Sequence, residues 1–155
     1  MKSYFTRHDS ENLVQGKGRH MNGKPTILVV DDDRAILKGA HLRLRACGFE
    51  TIEAHDGGEG VASALKDRPD AIVMDVRMPR MDGLTALNEL QDNDATREIP
   101  VVMLSASLID QQQALDAGAR FFVSKPYDGK DLVGAVQTAI RERGSRPTAQ
   151  VAPLN

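Results

Sequence analysis

Thr26-Ile27-Leu28-Val29-Val30-Asp31-Asp32-Asp33 passes from five apolar or β-branched residues straight into three carboxylates. Ala71-Ile72-Val73-Met74-Asp75 repeats the pattern. Short, continuously apolar runs are expected of strands covered on both faces, and such strands belong to parallel sheets. Parallel strands share direction, so both acidic ends fall on one carboxyl edge. That edge is where doubly wound sheets bind ligands.

The rest of the chain supplies the connections such a sheet needs. Arg34 to Cys47 carries Ile36, Ala40, Leu44 and Cys47 as a helical stripe, stopped by Gly48. Cys47 is expected there as a small buried apolar residue. Glu50–Ala54 reads as a strand, Gly57-Gly58 as loop, and Glu59–Lys66 as a helix that ends before Pro69. Leu84, Leu87 and Leu90 mark a third helix, and Val101–Leu104 a fourth strand. Ser107–Ala117 is helical and closed by Gly118. Phe121–Val123 is a fifth strand, and Leu132, Val133, Val136 and Ile140 line a last helix. Five strands alternating with five helices predict an α/β fold, a five-stranded parallel doubly wound sheet. The domain spans residues 26–143. Residues 1–25 and 144–155 lack helical or strand periodicity and are expected as loose tails, the first reading either as expression-linker sequence or as a native tail.

At 155 residues the chain can bury roughly two-thirds of its unfolded surface, so it needs no disulfide or structural metal to fold. No apolar run approaches the ~20 residues that span a bilayer, and no signal peptide is visible. The single Cys47 excludes an intramolecular disulfide and fits a reducing compartment, so a cytoplasmic location and no membrane partner are expected. Net charge is +3 over residues 1–25, −7 over 26–140 and +2 over 141–155. An acidic body is the opposite of a nucleic-acid footprint, so no direct nucleic-acid contact is expected.

Asp31, Asp32 and Asp75 on one edge repel one another unless a cation neutralises them. A hard divalent ion such as Mg²⁺ fits one or two carboxylates plus waters. Asp33 is better read as a helix cap. The fourth strand ends at Ser105-Ala106 and the fifth at Ser124-Lys125-Pro126, which adds a hydroxyl and an ammonium to the same edge. Alone, the serine reads as a cap and the lysine as solvated surface. Together with the carboxylates they suit a phosphoryl group, and aspartate can accept one covalently.

Asp31-Asp32, Asp75 followed by Met78-Pro79-x-Met81-Asp82-Gly83, Ser105-Ala106 and Lys125-Pro126 resemble the receiver domain of two-component response regulators over about residues 26–143. The resemblance implies a flavodoxin-like (βα)5 fold and a phosphorylated aspartate, Asp75. It implies Mg²⁺ (or Mn²⁺) held by Asp32 directly, by Asp31 mainly through water, by Asp75 and by the backbone carbonyl of Arg77. It makes Ser105, Ala106 and Lys125 the phosphoryl-binding set and places Phe122 at the aromatic switch position, with a cis Lys125–Pro126 bond; read from its strand alone, Phe122 is equally a core residue, since one aromatic in a strand more often packs than switches. The implied partners are a sensor histidine kinase or histidine phosphotransfer protein, a downstream partner or output domain, and a homodimer through the fourth helix, fifth strand and fifth helix. The domain would assist its own phosphotransfer and autodephosphorylation without being an enzyme on other substrates.

Two other classes fit parts of the pattern. A phosphorylation-independent interaction module would keep the fold but would not require all five site groups. An aspartate-nucleophile phosphatase usually wants a second acid two residues after the nucleophile, and that residue here is Arg77. His41 and His55 lack partners at metal-ligand spacing, and no glycine-rich phosphate loop is present.

Overall fold

The β-branched and aliphatic runs form strands because they can be buried on both sides, and in the computed structural model they are. The structure describes residues 23–143 and 150–151. In chain order its elements are β1 (Thr26–Val30), α1 (Arg34–Ala46), β2 (Glu50–Ala54), α2 (Gly57–Asp67), β3 (Ala71–Asp75), α3 (Gly83–Asp92), β4 (Val101–Ser105), α4 (Leu108–Asp116), β5 (Phe121–Ser124), α5 (Gly129–Arg141) and β6 (Gln150–Val151). The sheet order is β2-β1-β3-β4-β5-β6, and every pairing is parallel. The order reverses direction between β1 and β3, which opens a crevice beyond their carboxyl ends.

Alternation along each strand sorts the core into two layers. Ile27, Val29, Val73 and Val102 face α1 and α5, where they meet Leu37, Leu44, Leu132 and Val136. Leu28, Val30, Met74 and Met103 face α2, α3 and α4, where they meet Ala64, Leu87, Leu90 and Ala114. Each fully buried aliphatic side chain contributes about 1.5–3 kcal/mol relative to exposure. Among the described residues, all five helices start on a short polar cap, Asp33, Asp56, Asp82, Ser107 and Asp128, whose side chain accepts from backbone N–H groups of the first turn.

Three local expectations change. Gly57-Gly58 opens α2 instead of forming loop, because Asp56 caps the helix and starts it two residues before Glu59. A Cβ on Gly57 would lie 2.6 Å from the Met81 carbonyl oxygen, so the helix start and the loop after β3 are in backbone contact. Cys47 is exposed, since it lies past the last turn of α1 as its C-cap. The segment expected as a C-terminal tail contributes β6, paired with β5 through Phe121↔Gln150 and Phe122↔Val151. The rest of that tail, and residues 1–22, lie outside the described residues. Among the described residues no helix is long and apolar enough to cross a membrane.

Candidate functional site

β1 delivers Asp31 to the crevice and locks it there. Its backbone N–H donates to the Ala54 carbonyl at 3.1 Å, and its Oδ1 accepts from the Asp33 N–H at 2.9 Å. Its Oδ2 is buried without a hydrogen bond, 3.8 Å from Lys125 Nζ. β3 delivers Asp75, whose Oδ1 lies 3.1 Å from Lys125 Nζ. Asp32 is exposed at the mouth, and Asp31, Asp32 and Asp75 each offer an oxygen within 4.8 Å of the others'. The Lys125–Pro126 bond is cis.

Burial pushes the Asp31 carboxyl up to about 6; the Asp33 N–H opposes the rise, and the neighbouring Asp75 charge adds to it. Burial also raises Asp75, against the pull of Lys125. Three clustered carboxylates with one buried, unbonded oxygen and a single ammonium are short of positive charge. The donor set, all oxygen and partly open to water, suits Mg²⁺ or Mn²⁺ rather than a thiolate- or imidazole-seeking metal.

Asp75 is fixed from behind by a glycine. Gly83 donates its N–H to the Val76 carbonyl at 2.8 Å, and a Cβ there would lie 2.1 Å from the carbonyl oxygen of Asp75. Any side chain at 83 would displace the Asp75 backbone. The close approach of Gly83, the first residue of α3, therefore sets the depth of Asp75 in the crevice.

On the β4 side a cleft of about 400 Å³ is lined by Asp75, Arg77, Ser105, Ala106, Asp110 and Lys125. Ser105 is buried and donates its hydroxyl to Asp110 Oδ2 at 2.7 Å. Arg77 grips the same carboxylate with both arms, Nε to Oδ2 at 2.9 Å and Nη2 to Oδ1 at 3.0 Å. Burial raises the Asp110 carboxyl, but Arg77 and Ser105 outweigh it and leave the group below the usual carboxylate range.

The structure thus brings Asp31, Asp32, Asp75, Ser105, Ala106 and Lys125 to one edge. Arg77 is there too, with its side chain committed to Asp110. Phe122 is not: its ring is 1% exposed and packs in the core with Met103 and Ala114. Its register position opposite Met103 turns it into the α2/α3/α4 layer. Asp110 escaped the sequence reading, because Ser107-Leu108-Ile109-Asp110 has the spacing of an ordinary helix start. Gly83 closes the Met78–Gly83 motif, and nothing local in the sequence signals its contact with the Asp75 backbone.

Residues 27–137 match the family described as the response regulator receiver domain. The transcriptional regulatory protein PrrA of Mycobacterium tuberculosis is 42% identical over 127 residues, which cover 81% of this chain and 54% of that protein. The response regulator PleD of Caulobacter vibrioides is 41% identical over 117 residues, 74% of this chain and 26% of that protein. The chain spans about half the length of PrrA and about a quarter of PleD. Among solved structures, the receiver domain of a sensor histidine kinase from Pseudomonas aeruginosa, with a magnesium ion coordinated in its active site cleft, aligns with a TM-score of 0.72 at 31% identity. That alignment covers 76% of this chain and 98% of the solved one.

Proposed function

This chain belongs to the response regulator receiver family, and on that premise we propose that Asp75 is its phosphoacceptor. The observation that supports this most directly is the placement of Asp75: its carboxylate meets Lys125 at 3.1 Å and shares a cluster with Asp31 and Asp32. An Asp75 oxygen attacks phosphorus, the bond from phosphorus to the donor's imidazole nitrogen or leaving oxygen breaks, and an acyl phosphate remains. Asp32, Asp75, the backbone carbonyl of Arg77 and, mainly through water, Asp31 would hold Mg²⁺ or Mn²⁺, which would supply positive charge beside the transferring oxygens. Lys125 pairs with one phosphoryl oxygen and the Ser105 hydroxyl donates to another, with Ala106 lining the same cleft. Water entering the open side of the cleft hydrolyses the acyl phosphate and resets the domain.

The donor is a sensor histidine kinase or a histidine phosphotransfer protein, and the folded receiver occupies residues 26–143. The readout surface is α4, β5 and α5, with β6 along the β5 edge, facing a downstream protein, an output domain or a second copy. Phe122, buried already in this state, would transmit by shape without an exposed-to-buried turn. The transcriptional and output functions of the longer relatives are not required for this chemistry.

Incubation with Mg²⁺ and acetyl phosphate should add one phosphoryl group to the intact mass. Asp75→Asn or chelation should abolish the gain. A phosphoryl group retained by Asp75→Asn would place the acceptor elsewhere and overturn the reading. Mg²⁺ should also raise the thermal midpoint of wild type more than that of Asp32→Asn.

A further inference from the structure

Asp110 is a buried carboxylate in the cleft wall to which phosphotransfer gives no task. It is 3% exposed, whereas the Arg77 side chain that binds it is 73% exposed. An acid in the first turn of a helix ordinarily serves the helix, by favouring the positive end of its dipole. Ser107 already caps α4, accepting the Asp110 N–H at 3.3 Å. The Asp110 carboxylate instead faces inward, with its oxygens taken by Ser105 and by the Arg77 fork.

A serine hydroxyl has one proton to give. While Ser105 donates to Asp110, it cannot donate to a phosphoryl oxygen on Asp75. Its bond to Asp110 is charge-assisted and buried, which makes it a strong competitor. The Arg77 guanidinium is committed to the same carboxylate and so is withheld from an anion in the cleft. Asp110 is also the third residue of α4, so the competition is felt directly by that helix.

We infer that Asp110 is a positioning residue that competes with the phosphoryl group for the Ser105 hydroxyl and holds back Arg77, tying the first turn of α4 to the state of Asp75. The inference rests on the reading of Asp75 as phosphoacceptor. Occupation of Asp75 redirects the Ser105 hydroxyl to a phosphoryl oxygen, Asp110 keeps Arg77 alone, and the Asp110 side chain loses one of its two partners at the site.

The test is calorimetric titration of beryllofluoride into the Mg²⁺-loaded full chain. Asp110→Ala should bind it about tenfold more tightly than wild type, because one buried charge-assisted bond no longer has to be broken. Ser105→Ala should bind more weakly, and adding Asp110→Ala to it should recover only the smaller part of the gain that freed Arg77 supplies, since the shared donor is gone. A role in folding alone would show no such dependence on Ser105. Where Asp110→Ala does not fold, Asp110→Asn carries the test: it still accepts from Ser105 without the charge, and should tighten binding roughly threefold. Asp110 variants that bind like wild type or more weakly, or that gain equally without Ser105, overturn the inference. A wild type that takes neither beryllofluoride nor a phosphoryl group removes the phosphoacceptor reading as well.

Discussion

α5 and α4 flank the same strand, β5, and are attached to it by different physics. α5 buries Leu132, Val133, Ala135, Val136 and Ala139 against the sheet. α4 buries Ala114 and Asp110, while Leu108 and Ile109 in its first turn are 79% and 69% exposed. Apolar burial is non-directional and indifferent to what binds at the sheet edge. A hydrogen bond from Ser105 is directional and can be given to something else. One helix is therefore a fixed support, and the other, packed only through Ala114 and Leu115, has its first turn held by a contact that the site can exchange.

The contrast breaks first at the level of global stability. Leu132→Ala should cost about 2–5 kcal/mol in chemical denaturation. Ile109→Ala should stay within about 0.5 kcal/mol of wild type. Equal losses would mean that α4 is packed as firmly as α5.

A smaller effect comes from pH on the fixed side, where Asp31 precedes α1. In metal-free protein its carboxyl is pushed up to about 6 from 3.8. Between those values the folded state holds a proton that the unfolded chain has released, so stability from this group is greatest below about pH 4 and is lost as pH rises to about 6. Asp31→Asn should flatten that slope in thermal midpoints measured with chelator. Mg²⁺ should reverse it, stabilising more at pH 7 than at pH 5.

Smaller still is the difference between the two helix caps. Asp128 accepts from the Lys130 and Asp131 N–H groups at 2.9 and 3.1 Å, and Asp128→Ala should lower global stability by about 1 kcal/mol. Ser107→Ala removes a comparable cap, but its cost should appear mainly as faster amide exchange at residues 110–116, with little change in midpoint. A full shift in midpoint for Ser107→Ala would show α4 to unfold only with the whole domain.

The parts legible in the sequence were those with a local signature. Val101–Leu104 could only be a doubly covered strand, and Asp31, Asp32, Asp75, Ser105 and Lys125 each stood at a strand end, where chain direction alone places them. Asp33 was separable as a cap because it precedes a helical stripe, and it does accept from the Ala35 N–H at 2.8 Å. What depended on three-dimensional proximity was not legible. Arg77 and Asp110 are 33 residues apart, and nothing in either neighbourhood announces their ion pair. The inward packing of Phe122 was one of two readings its strand allowed, and only the register across the sheet decides between them. The pairing of β6 with β5 escaped for another reason: two residues are too few to show periodicity.

That last pairing bears on how the sheet ends. An open strand edge offers unpaired N–H and C=O groups to any other extended chain, and proteins blunt such edges to stay unaggregated. At one margin β2 does this with charge, placing Glu50 and Glu53 on the outermost strand. At the other margin, Phe121-Phe122-Val123 has no charge with which to repel a stranger. There the chain supplies its own partner, so β6 is a selvedge, a short border laid along Phe121 and Phe122 that leaves only two residues of backbone at the margin.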